Sequence, residues 1–183
     1  MKRYIRFIAC CFCLVFIILS CSDKPADIPS ILREWQGKKI KIPKDLIFTK
    51  YAVDTIDYSY LNRPFKTFVY VDSLDCLSCK LQLSKWKKMI TVLDSVTNHN
   101  ISFLFILDVR NVSRMEEILR ENRFDYPVVL DTKGKLNRLN HFPTDTRFQT
   151  FLLDKENKVL VVGNPVQKEA IKELFIKQVL NTR

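Results

Sequence analysis

One pair of cysteines, Cys76 and Cys79, stands where a strand-like run gives way to a helix-like one, and that juncture constrains this chain more than any other feature. Phe65 to Val71 is rich in aromatic and β-branched residues, which suit a buried pleated surface. From Cys76 to about Val96, apolar residues return at three- and four-residue steps: Leu83, Trp86, Met89, Ile90, Leu93 and Val96. Asp72 to Asp75 is left as a short loop. The spacing therefore predicts a helix that starts at the first cysteine.

That position activates a thiol. Unpaired N–H groups and the helix dipole favour an anion at a helix N-terminus, and the thiolate is the attacking species. A second thiol one turn along can reach the first sulfur and release a mixed disulfide. Cys76 is thus the expected nucleophile and Cys79 the resolving thiol. Competing uses of the pair are weaker. A permanent disulfide across two residues closes too small a loop to add much stability. Zinc asks for about four ligands, and there is no second cysteine pair; His99 and His141 are expected in loops. A copper site from Cys76, Cys79 and one histidine is a further reading.

The remaining pattern predicts an α/β fold. Ile101 to Leu107 is nearly all apolar, as in a central strand covered on both faces. A helix near Ser113 to Asn122 follows, with Ser113 and Glu116 placed as a capping box. Then come a strand at Pro127 to Leu130 and a short helix at Leu136 to Asn140. Strands at Phe148 to Leu153 and Lys158 to Val162 are joined by a turn through Asp154 and Asn157. A last helix at Gln167 to Leu180 aligns Ile171, Leu174, Phe175 and Val179. This order gives a mixed central sheet flanked by helices. Residues 31–63, with a helix at Ile31 to Gln36 and a strand at Lys38 to Ile42, read as an N-terminal extension of a domain at 64–183.

The first 20 residues read as a signal peptide. Lys2, Arg3 and Arg6 precede an apolar run from Phe7 to Leu19, within the ~7–15 residues of a signal core and short of the ~20 that span a bilayer. Ile18-Leu19-Ser20-Cys21 resembles a bacterial lipobox, which implies cleavage before Cys21 and its acylation; an uncleaved anchor is the competing reading. Residues 21–30 are then lipid attachment and tether. Of six cysteines, Cys10, Cys11 and Cys13 fall in the leader and Cys21 at the lipid site, leaving one pair in the domain. With 47% hydrophobic residues the domain can build a core, so this is no disulfide scaffold. The formal charge of +10 would raise nucleic acid as a partner for a cytoplasmic protein. Behind an export signal no nucleic acid is expected. The three glycines, Gly37, Gly134 and Gly163, are too scattered for a phosphate-binding loop.

Residues 65–180 resemble the thioredoxin superfamily, in particular its TlpA-like envelope branch related to peroxiredoxins. The strand–loop–Cys-x-x-Cys-Lys–helix run at 65–96, the Tyr126–Gly134 strand and turn, and the Thr150–Val159 hairpin carry the resemblance. It implies a thioredoxin-like fold and disulfide exchange with envelope proteins, by a monomer without an organic cofactor. It also implies substrate contact through Leu77, Ser78, Phe148, Gln149 and Thr150. The chain departs from the family pattern at telling places. Gln149 stands where a cis-proline is usual, and a non-proline cis bond costs about 2.5–4 kcal/mol, so Gln149 is expected trans. Tyr70 replaces the buried acid six residues before the first cysteine. Asp75 precedes Cys76, where its charge opposes thiolate formation. The expected activity is a narrow-specificity thiol–disulfide oxidoreductase, with a partner-binding module as the rival; nothing points to peroxidase chemistry.

Overall fold

The computed structural model describes residues 27–72 and 81–181. Seven strands form one mixed sheet: β1 (Phe48–Lys50), β2 (Asp54–Ile56), β3 (Phe65–Val71), β4 (Ile101–Leu107), β5 (Val128–Leu130), β6 (Thr150–Leu153) and β7 (Val159–Val162), in the order β2-β1-β5-β4-β3-β6-β7. β3, β4 and β5 are parallel, with Val71 opposite Leu107 and Leu107 opposite Leu130. β6 joins β3 antiparallel, and β7 closes that edge as a hairpin with β6.

Strand alternation sorts the core into two layers. On one face Phe65, Val69, Val71, Phe103 and Phe105 pack beneath α2 (Leu83–Val96), α3 (Val112–Glu121) and α5 (Glu169–Asn181). On the other, Phe68, Tyr70, Leu104 and Phe151 lie beneath α1 (Ile28–Trp35) and α4 (Lys135–Asn140). Two parallel crossovers in one direction along the sheet place α2 and α3 on the same side. Each fully buried large side chain contributes about 1.5–3 kcal/mol.

The N-terminal extension is more built-in than its sequence indicates. Helix α1 starts at Ile28, with proline in its first turn, so part of the expected tether is helical. The strand expected at Lys38 to Ile42 reduces to one bridge, Lys39 with Lys158. Instead β1 pairs with β5 and adds a hairpin to the sheet.

Further differences have local causes. Of the helix expected from Cys76, residues 76–80 lie outside the described residues; among those described, Gln82 has a left-handed backbone (φ 42°) and α2 starts only at Leu83. Val96 turns out 45% exposed, and Thr97 is buried in its place, its hydroxyl donating to Leu93 O at 2.6 Å. Helix α3 begins one residue early because Asn111, not Ser113, is the cap: its side chain accepts from Arg114 N at 2.9 Å. Phe148 closes a 3-10 turn, Thr146–Phe148, held by the Asp145 side chain accepting from Arg147 N, so β6 starts only at Thr150. Leu174, expected on the inner face of α5, is 48% exposed.

Candidate active site

The parallel strands end together, and an aspartate follows each one: Asp72 after β3, Asp108 after β4 and Asp131 after β5. Ligands of open α/β sheets bind beyond the carboxyl ends of such strands. Segment 73–80, which joins Asp72 to Leu81, contains both cysteines. Cys76, Leu77, Ser78 and Cys79 therefore lie outside the described residues, as does Cys21; the structure frames the connection on which the first four fall.

The three carboxylates have separate tasks. Asp131 accepts from Lys135 N and Leu136 N at 2.7 Å each and so starts α4. Asp108 accepts from the Tyr70 hydroxyl at 3.0 Å, and Tyr70 stacks on Phe142 with centroids 4.6 Å apart. Asp72 accepts from the Gln149 amide at 3.1 Å. Burial pushes the Tyr70 phenol far above its ordinary range; the Asp108 hydrogen bond and the charges of Asp108, Asp131 and Asp72 push it further. Tyr70 is thus a permanent O–H donor, the reverse of the carboxylate it replaces in the family pattern.

Gln149 sits beside the carboxyl end of β3. It is 4% exposed, and no cis peptide bond occurs among the described residues. Its carbonyl accepts from Tyr70 N at 2.9 Å, extending the β3–β6 pairing by one step. Its side-chain amide spends both protons, on Asp72 and on Pro143 O at 2.9 Å, tying the 143 loop to the end of β3. A cavity of about 370 Å³ opens here, lined by Asp72, Asp108, Arg110, Lys133, Phe142 and Gln149 among others. Thr150 is buried as the first residue of β6, while Phe148 is buried facing away from this cavity, with the Arg147 guanidinium 5.4 Å from its ring.

His99 is at the other end of the sheet, beside the residue whose carbonyl receives Phe65 N, and its Nδ1 lies 2.5 Å from Asp94. It is a β3 length, roughly 20 Å, from the carboxyl end of β3. The sequence reading missed Asp108, Asp131 and Arg110. The available signal was a strand ending in apolar residue then aspartate, repeated at Val71-Asp72, Leu107-Asp108 and Leu130-Asp131.

The sheet order, the helices on both faces and the strand–segment–helix connection at 65–96 define a thioredoxin-like α/β domain. No family model matches the sequence. The chain is 24% identical over 129 residues, 69% of its length and 76% of the relative's, to Sporulation thiol-disulfide oxidoreductase A of Bacillus subtilis. A Chlorobium tepidum structure described as a thiol:disulfide interchange protein DsbE superposes with TM-score 0.57 at 17% identity, covering 79% of this chain and 97% of that one. Peroxidoxin BcpB of Mycobacterium tuberculosis superposes at 0.55 with 15% identity, over 81% and 97%. The chain thus has a thioredoxin-like fold and a distant sequence similarity to a thiol-disulfide oxidoreductase.

Proposed function

We propose that this chain is a lipid-anchored, extracytoplasmic thiol–disulfide oxidoreductase that exchanges two electrons with disulfides of other envelope proteins. The observation that carries the reading is positional: Cys76 and Cys79 fall within the connection from the carboxyl end of β3 to α2 of a thioredoxin-like sheet. The relationship to a thiol-disulfide oxidoreductase of Bacillus subtilis supports it. The Cys76 thiolate attacks a substrate disulfide, forming a mixed disulfide and releasing one substrate thiolate. The Cys79 thiolate then attacks Cys76 Sγ, forming the Cys76–Cys79 disulfide and releasing the second. The chain is oxidised by two electrons and the substrate reduced by two; the reverse sequence oxidises a substrate dithiol.

Anchoring rests on the Ile18–Cys21 motif; no helix among the described residues is long and apolar enough to cross a membrane. A Cys79→Ser variant is expected to accumulate mixed disulfides through Cys76, detected as thiol-sensitive adducts on non-reducing gels. Absence of adducts, with no dithiol-dependent turnover in vitro, counts against the enzyme. A partner-binding module without turnover is the second reading, motivated by the Gln149 side chain tying the wall next to Asp72. It requires normal partner capture by a Cys76→Ser, Cys79→Ser chain.

A further inference from the structure

Lys66 is the one charged residue of β3. It stands on the same face of the strand as Phe68 and Tyr70, but at the amino end, away from Asp72. A cavity of about 390 Å³ opens there, a size that suits a small molecule rather than a folded partner. Leu46, Phe48 and Leu61 of the N-terminal extension and Leu104 of β4 give it apolar walls. Its charged residues are Lys44, Arg63, Lys66 and Lys155, with no Asp or Glu among them.

The four cations are not equally committed. Arg63 is held by Asp94 at 2.5 Å and donates to the Ile101 carbonyl at 2.8 Å, so it fixes the edge of the cavity. The Lys155 ammonium meets Glu156 at 3.6 Å, between two exposed side chains, a pair worth little. Lys44 has no ion pair among the described residues, and its neighbour Asp45 is turned to Lys135 at 3.5 Å.

Lys66 is the most exacting of the four. Its ammonium has three protons to donate. Among the described residues it makes one hydrogen bond, to the Lys155 carbonyl at 3.4 Å, and no ion pair. Burial pushes this half-buried group below the ordinary lysine range, and the charges of Asp154 and Glu156 pull it back only in part. A cation withdrawn from water without a counter-charge is costly, and an anion in the cavity removes that cost.

The number of uncommitted cations decides which anion. Two unpaired ammoniums and a third weakly held one match a doubly charged group with several acceptor oxygens, which is a phosphate rather than a carboxylate. The apolar walls then take the organic body of the molecule. We infer that this cavity binds a phosphate monoester with an apolar body, at the end of the sheet opposite the carboxyl end of β3. Binding there needs neither Cys76 nor Cys79.

The test is calorimetric titration of the full chain in a non-ionic detergent, with phenyl phosphate, benzoate and dihexanoyl phosphatidate as probes. Phenyl phosphate should bind at one site, and benzoate at least about tenfold more weakly, the usual worth of one hydrogen bond to a charged group. Lys66→Met keeps the apolar stem and removes the charge, so it should weaken phenyl phosphate by about the same factor. Lys44→Gln, at an exposed position, should also weaken it, whereas Lys177→Gln, an equal loss of charge on exposed α5 surface, should not.

Tighter binding of the phosphatidate, lost in Lys66→Met, identifies the source of the phosphate as a lipid headgroup; tighter binding of phenyl phosphate identifies a soluble ester. Equal affinities mean that the phosphate alone is recognised, from either source. All three support the site. No saturable binding of either phosphate, or equal affinity for benzoate, overturns it. So does the same loss in Lys66→Met and Lys177→Gln, because the attraction is then that of a basic chain in general. Should Lys66→Met fail to fold, Lys44→Gln against Lys177→Gln decides in its place.

Discussion

Tyr70 cannot play the part of the carboxylate whose place it takes, because it holds a proton the carboxylate would surrender. Its hydroxyl pins Asp108, and burial together with three nearby aspartates keeps it neutral. Tyr58, buried against Tyr126 and donating to the Phe103 carbonyl, is pushed the same way, chiefly by burial. The consequence for pH follows from the direction of both shifts. The ordinary tyrosine value is 10.0. Below it neither state ionises, and the stabilising contribution is complete. Above it the unfolded chain loses phenolic protons that the folded chain keeps, so stability falls as pH rises toward the raised values. Urea midpoints should therefore decline above about pH 10, and Tyr58→Phe with Tyr70→Phe should flatten that decline. An unchanged slope in the double variant contradicts the assignment.

Elements differed in how much of themselves they disclosed. Strands β3 and β4 were legible because six of the seven residues in each carry aromatic or branched side chains, over a sheet covered on both faces. The hairpin of β1 and β2 was not, since three-residue strands with one exposed partner have no periodicity to read. Helix α3 was read correctly as a helix but given the wrong cap: Ser113 and Glu116 fit the pattern, and only backbone geometry reveals that Asn111 reaches Arg114 N first. That distinction is measurable. Asn111→Ala should cost about 1 kcal/mol in urea unfolding, the usual worth of an N-cap, whereas Ser113→Ala should change stability by no more than about 0.5 kcal/mol. Of the candidate site residues, the cysteines stood out by residue type and spacing, and Gln149 by its departure from the pattern that the chain resembles. The aspartate row did not, because its members are far apart in sequence and meet only through the registers of β3, β4 and β5.

At the scale of the whole molecule, α1 packs into the core of the thioredoxin-like sheet. Trp35 of α1 is buried against Phe151 of β6 and Phe142, with centroids 4.9 Å and 5.8 Å away. Trp35→Ala should therefore lower global stability by about 3–5 kcal/mol. It should do so in a single unfolding transition with an unchanged denaturant slope; two separated transitions would mean that the extension is merely docked.

The stitching of residues 37–40 onto the last hairpin also sets an order of events. Gly37 N donates to Val159 O, Val159 N to Lys38 O, and Ile40 N to Asn157 O. A polypeptide made from its amino end thus emerges with Trp35 and Ile40 lacking a lid until more than a hundred further residues have followed. Pairings over such separations pay their loop-closure entropy late. During synthesis residues 37–40 therefore wait without their sheet partners until the last hairpin has been made.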